Sequence, residues 1–142
     1  MAARDGQMVT ADTNIVFYAL AQGDKTARAE TALSAASFLS AQVLNEYAFA
    51  SRRKWRRDWA EIGCDIALLR QWVPEILPID AAANSEALRI AEQYQLAFFD
   101  ALMIAVALIN GATVLYSEDM QHGLIVDDKL TIINPFLPAD MP

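Results

Sequence analysis

Residues 100–119 read DALMIAVALINGATVLYSED. Ala101 to Ile109 is an unbroken apolar run of helical length, opened by Asp100. Asn110-Gly111 stops it, because both residues accept the left-handed backbone that ends helices. Ala112 to Tyr116 is apolar without alternation, the pattern of a strand buried on both faces. Ser117-Glu118-Asp119 follows at once. A buried helix leading into a buried strand predicts a parallel sheet covered by helices. It also places polar residues at the strand's carboxyl end, where such folds bind ligands. As a membrane span, Leu96 to Tyr116 has the length but contains Asp100, Asn110 and Gly111, so no membrane segment is expected.

The rest of the chain keeps the alternation. Met8 to Ala11 reads as a short strand ending at Asp12. Helices are expected from Asn14 to Ala21, stopping near Gly23, and from Lys25 to Ala36. Ser37 to Ser40 reads as a short strand. Ser40 then caps a helix running through Gln42 and Glu46 to about Trp55. Ile62, Ile66, Leu69 and Val73 recur at helical spacing in and just after Asp58 to Trp72. Pro74 and Pro78 punctuate a brief strand, Glu75 to Ile79, and Asp80 caps a helix from Ala81 to Tyr94. Lys129 to Ile133 is the last strand candidate. Strands alternating with helices predict an α/β fold with a mostly parallel central sheet and helices on both faces.

The chain has 142 residues, is 55% hydrophobic and 20% charged, and has a net charge of −7. That length fits one domain, expected over 8–142, with residues 1–7 as an N-terminal arm or expression remnant. MAARDGQ lacks the apolar core of a signal peptide. The single cysteine, Cys64, cannot form an internal disulfide, which fits a reducing cytoplasm. The acidic balance excludes a protein that coats nucleic acid by bulk charge. It leaves room for a nuclease, because local charge is a separate matter.

Four carboxylates stand in settings that call for explanation. Asp12 and Asp119 each follow a strand. Asp100 opens an apolar helix, and Glu46 lies between Val43, Leu44 and Tyr47. An isolated buried carboxylate is costly, and a cation offsets that cost. Mg²⁺ and Mn²⁺ favour carboxylate and water oxygens. The bland alternatives are helix capping for Asp12 and Asp100, a solvated position for Glu46, and a turn for Asp119.

Four segments together resemble the PIN-domain ribonucleases, in particular the VapC-type toxins of bacterial toxin–antitoxin pairs. They are Asp12-Thr13-Asn14-Ile15 after a short strand, Ser40 to Glu46 (SAQVLNE), Phe99-Asp100-Ala101, and Leu115 to Met120 (LYSEDM), with Asn134-Pro135-Phe136 near the end. The resemblance spans about Met8 to Phe136 and implies a three-layer sandwich. It further implies a metal-dependent endoribonuclease, the toxin of a type II toxin–antitoxin system. Asp12, Glu46, Asp100 and Asp119 match the family's acidic positions, catalytic and ligating Mg²⁺ or Mn²⁺. Thr13, Asn14 and Ser117 match supporting polar positions. The fourth segment departs from many relatives, which carry a basic and aromatic pair after the acid. Glu118 is therefore a candidate to supplement or replace Asp119. Implied partners are an RNA substrate, a small antitoxin and a second copy of the chain. A non-catalytic PIN-like module that binds RNA or protein is the alternative.

Other enzyme classes fit less well. A receiver-like domain wants paired acids at the first strand, and Asp12 stands alone there. A haloacid-dehalogenase-type phosphatase wants Asp where Asn14 stands, and no P-loop is present. His122, the single histidine, has no orienting partner in sequence and reads as a surface loop residue.

An acidic site repels RNA, so phosphates need cations elsewhere. Arg52, Arg53, Lys54, Arg56 and Arg57 fall within six residues, interrupted by Trp55. If the helix of Glu46 continues, Arg53 and Arg57 lie on its face, roughly 10 and 16 Å along the axis. They are the RNA-binding candidates. Trp55 points the other way, toward the core or a partner. Phe17, Tyr18, Leu20, Phe38, Leu39, Tyr47, Phe49 and Trp72 read mainly as core, with some left at the surface of the early helices.

Overall fold

The computed structural model describes residues 6–138. Of the expected N-terminal arm, residues 1–5 lie outside the described residues. The elements in order are β1 (Val9–Ala11), α1 (Thr13–Leu20), α2 (Thr26–Ala35), β2 (Leu39–Ser40), α3 (Ala41–Trp55), α4 (Trp59–Trp72), β3 (Ile76–Leu77), α5 (Ala81–Tyr94), α6 (Phe98–Ile109), β4 (Val114–Tyr116), β5 (Ile125–Val126) and β6 (Leu130–Ile133).

The main sheet runs β1-β4-β6-β5. β1 and β6 both lie parallel to β4, with Ala11 opposite Tyr116 and Leu115 opposite Ile132. β2 and β3 form a second parallel pair. The chain just before β2 lies along β1: the Ser37 N–H donates to the Val9 carbonyl at 2.7 Å, and the Thr10 hydroxyl to the Phe38 carbonyl at 2.8 Å. The β2–β3 pair thus adjoins the β1 edge of the main sheet. Parallel strands need long crossovers, and the three helix pairs α1–α2, α3–α4 and α5–α6 supply them. All three residues of β4 are buried. Successive strand side chains point to opposite faces, so both faces of the sheet are covered.

Local chemistry sets the boundaries. Ser40, Asp58 and Asp80 are N-caps, accepting from the N–H groups of Gln42, Glu61 and Ala83. Gly111 follows α6 with φ +79°, the left-handed turn read from Asn110-Gly111. α6 packs mainly on α5, where the small side chains of Ala83 and Ala87 are buried. Its residues 101–107 are all buried within the fold. No described helix alone is long and apolar enough to cross a membrane. α5 and α6 pass such a test only as a pair bent by 117°.

Three expectations need correction. α6 begins at Phe98 with Ala97 as its N-cap, so Asp100 sits within the first turn rather than opening the helix. The conditional continuation of the Glu46 helix through Arg57 does not occur: α3 ends at Trp55, as read from the sequence, because Arg56 turns left-handed, φ 50°. The short strand β5 was not foreseen. It pairs antiparallel with β6 through a tight turn at Asp127-Asp128, φ 54° and 56°. Such turns favour Asn-Gly or Asp-Gly, so the pair Asp-Asp carries a weak signal. Here the Asp127 carboxylate is held by Arg89 at 2.6 Å and Tyr94 at 3.1 Å.

Leu115 is fully buried on the strand between β1 and β6. Leu115→Ala is expected to lower the unfolding free energy by about 2–5 kcal/mol. Loss of the cap in Asp80→Ala costs about 1 kcal/mol. Urea unfolding of the two variants checks both values and their order.

Candidate active site

β1 and β4 end in register, so Asp12 and Ser117 emerge side by side at the carboxyl edge of the sheet. The Asp12 N–H donates to the Tyr116 carbonyl at 2.8 Å. The Asp12 side chain is held at both oxygens. Oδ1 accepts from the Thr13 N–H at 2.8 Å, and Oδ2 from the Ser117 hydroxyl at 2.9 Å. Ser117 is fully buried, and its Oγ accepts from the Met120 N–H at 3.3 Å. Asp12 is therefore both the N-cap of α1 and a buried acid. The capping reading holds for Asp12, and the cap leaves it buried beside Ser117.

The neighbouring elements bring the other acids. α3 starts where β2 ends and carries Glu46, whose Oε1 accepts from the Thr13 hydroxyl at 3.2 Å. α6 carries Asp100, which is partly buried. Asp119 Oδ2 accepts from the Asn14 amide at 3.0 Å. The Asn14 Oδ1 accepts in turn from the Glu118 N–H at 3.3 Å, so Asn14 ties α1 to residues 118 and 119. Glu118 faces a different set of groups. It accepts from the Tyr18 hydroxyl at 2.6 Å and pairs with Lys25, whose ammonium lies 4.7 Å from the Tyr18 ring centre and 5.3 Å from that of Phe136. Both its oxygens are thus engaged, and its evident effect is to anchor the turn that carries Asp119.

Burial and mutual charge act on several of these acids together. Burial pushes Asp12 up to about 6, with the Asp100 and Asp119 charges adding to the rise against the hydrogen bonds from Thr13 and Ser117. Burial also raises Glu46, helped by Asp12 and Asp100, and raises Asp100, helped by Asp119. Burial pushes Glu118 up as well, but the bonds from Lys25 and Tyr18 and the Lys25 charge hold it below its ordinary value. Among the described residues, no three Asp, Glu, His or Cys side chains converge closely enough to enclose an ion unaided. The donor set is all oxygen and lies under mutual repulsion. That suits Mg²⁺ or Mn²⁺, which keep several of their waters.

The basic segment differs from expectation. Because α3 stops at Trp55, Arg57 does not extend the Glu46 face. Its guanidinium pairs with Asp65, reaches Glu61 at 3.8 Å and donates to the Tyr47 hydroxyl at 3.2 Å. Arg53 stays on α3, exposed, over the Phe49 ring. Trp55 is neither core nor fully free: it is 57% exposed, with its ring centre 5.3 Å from that of Phe17. Phe49 and Trp72, read as core, are exposed, while Phe38, Leu39 and Tyr47 are buried as read. The His122 Nδ1 accepts from the Asn134 N–H at 3.0 Å, a structural tie between its loop and the segment after β6.

Two grooves flank Asn14 and Asp119. One, of about 640 Å³, is lined by Thr13, Gln42, Glu46, Lys54 and Phe99 among others. The other, of about 530 Å³, runs along Phe17, Tyr18, Leu20 and Trp55 to Glu118. Lys54 lines both and was missed in the sequence. Its signal was present: Glu46, Ala50 and Lys54 form an i, i+4, i+8 row.

The sequence profile of the PIN domain matches residues 9–123. The chain belongs to the PIN domain family. All four acids lie inside the matched stretch. No curated protein is similar enough to match it. Among solved structures, this PIN domain is similar to a toxin–antitoxin complex from Klebsiella pneumoniae, at 16% identity and TM-score 0.69, covering 90% of this chain and 98% of that one. It is similar to VapBC2 from Rickettsia felis bound to a DNA fragment from their promoter, at 18% identity and TM-score 0.61, covering 80% and 89%. A third is VapC20 from Mycobacterium tuberculosis, a Sarcin-Ricin loop cleaving toxin, at 18% identity and TM-score 0.61, covering 78% and 89%. At these identities the likeness is one of fold: the chain has the α/β PIN fold of the VapC-type structures.

The raised Asp12 has a consequence for stability. A carboxyl that binds its proton more tightly when folded favours the fold at low pH, and that gain is lost as pH rises through the folded value. From the ordinary 3.8 to about 6, the ionised side chain costs on the order of 3 kcal/mol at neutral pH. In chelator, Asp12→Asn is therefore expected to be more stable than the parent at pH 7.5 and to lose that advantage below pH 4. Denaturant midpoints across this range test it, and a constant difference between the two proteins contradicts it.

Proposed function

We propose that this PIN domain is a metal-dependent endoribonuclease that hydrolyses RNA phosphodiester bonds, acting as the toxin of a type II toxin–antitoxin pair. The observation that carries the reading is the buried Asp12 carboxylate at the sheet's edge, repelled by Asp100 and Asp119. A structural acid is not usually placed against two others. Asp12, Glu46, Asp100 and Asp119 would hold the ion, with some of its waters retained. When bound, Mg²⁺ or Mn²⁺ acidifies water and neutralises charge on the phosphoryl oxygens.

The chain's own residues prepare that site. Ser117 and the Thr13 N–H hold both Asp12 oxygens in place. The Thr13 hydroxyl orients Glu46, and Asn14 orients Asp119. In hydrolysis, water adds to phosphorus, one ester P–O bond breaks, and the leaving oxygen takes up a proton. No side-chain nucleophile is required. Arg53 and Lys54 meet the flanking phosphates from α3. The apolar groove along Phe17, Tyr18, Leu20 and Trp55 ends at Glu118 and Asp119. That shape supports an antitoxin segment lying there and covering the site; a homodimer is proposed with it as the active form.

A second reading, a non-catalytic RNA- or protein-binding module, draws on the lack, among the described residues, of a ready three-ligand cage. Purified chain incubated with total bacterial RNA separates the two. Discrete fragments in Mg²⁺ or Mn²⁺, absent in EDTA and reduced at least about a hundredfold in Asp12→Asn and Asp100→Asn, are expected. No cleavage of any RNA by folded, metal-supplied, antitoxin-free chain favours the module. A monomeric mass at micromolar concentration counts against the dimer.

A further inference from the structure

Phe49 and Phe99 are the large apolar side chains that the fold leaves beside the acids. They are 63% and 56% exposed, and both line the groove that contains Glu46 and Asp119. They come from different helices, α3 and α6. Burying a Phe side chain stabilises a fold, a gain these two positions largely forgo. Cations accompany the rings. The Arg53 guanidinium lies 5.7 Å from the Phe49 ring centre, and Lys54 lines the same groove. Both cations are exposed, and neither has a carboxylate within salt-bridge distance among the described residues.

Rings with flat faces, set between cations and a carboxylate cleft, match one kind of occupant. A nucleobase offers two apolar faces and is flanked by phosphates. An apolar protein segment would complement the rings but leave the cations without partners.

We propose that Phe49 and Phe99 form a stacking site for one unstacked RNA base beside the scissile phosphate, with Arg53 and Lys54 on the adjacent phosphates. The site's place in a reaction rests on the nuclease reading, whereas its existence is tested by binding alone. A base inside a duplex already has neighbours on both faces, so the site admits unpaired RNA and rejects paired RNA.

Fluorescence anisotropy tests this with a labelled oligouridine of about 12 nucleotides and a blunt RNA duplex of similar length, with Ca²⁺ in place of Mg²⁺. Phe49→Ala/Phe99→Ala is expected to lower single-strand affinity at least about tenfold and to leave duplex binding and the salt slope unchanged. Phe49→Leu/Phe99→Leu, which keeps apolar bulk, should lose nearly as much. Arg53→Gln should weaken both ligands and reduce the salt slope by about one. Wild-type single-strand affinity in both double variants overturns the proposal, as does an equal loss on the duplex. Unchanged RNA binding with dissociation of a dimer in sedimentation also overturns it, and assigns the rings to self-association. A chain that binds through the rings but cuts no RNA in Mg²⁺ or Mn²⁺ upholds this site and removes the nuclease reading. A chain that cuts RNA, with affinity indifferent to the rings, does the reverse.

Discussion

Parallel pairing of β1 with β4 places Asp12 beside Ser117, and the geometry of the candidate site follows from it. The register Ala11–Tyr116 lets the Asp12 N–H reach the Tyr116 carbonyl. Asp12 then caps α1, which turns Thr13 toward Glu46 and Asn14 toward Asp119. A one-residue slip in the pairing would turn the side chains of the slipped strand to the opposite face of the sheet and separate the carboxylate from the serine hydroxyl. The same short strand pair therefore anchors the core and aligns the acids.

The cost of this arrangement is electrostatic. Asp12, Glu46 and Asp100 are each raised by burial and by the charge of neighbouring carboxylates, Asp119 among them. Lys25 neutralises Glu118 rather than these acids. The exposed cations stand further along α3, on the groove's rim. The chain thus separates its charges: repulsion at the centre, where a cation would bind, and attraction at the rim, where phosphates would arrive. A net charge of −7 is compatible with binding RNA because of that separation.

Much of this was legible in the sequence where local rules dominate. The buried run before Asn110-Gly111, the caps at Ser40 and Asp80, and the strand-end positions of Asp12 and Asp119 all follow from capping and burial chemistry. The legible part ends where one residue's backbone or tertiary packing decides. Arg56 adopts a left-handed conformation that a non-glycine residue rarely takes, and this removes Arg57 from the Glu46 face. Phe49 has the composition of a core residue, and only the packing of α3 against its neighbours exposes it. Asp127-Asp128 forms a hairpin turn without glycine because α5 supplies Arg89 and Tyr94 to hold Asp127. Glu118 appeared interchangeable with Asp119 until Lys25 and Tyr18, about a hundred residues earlier, proved to be its partners.

The central claim is that the repulsion around Asp12 is relieved by a divalent cation. Calorimetric titration of Mn²⁺ into chelator-treated chain at pH 7.5 tests it most directly. Saturable binding by the parent chain, lost in a folded Asp12→Asn variant and kept in Glu118→Gln, is the predicted result. No binding by the parent, or equal binding by parent and Asp12→Asn, would contradict it.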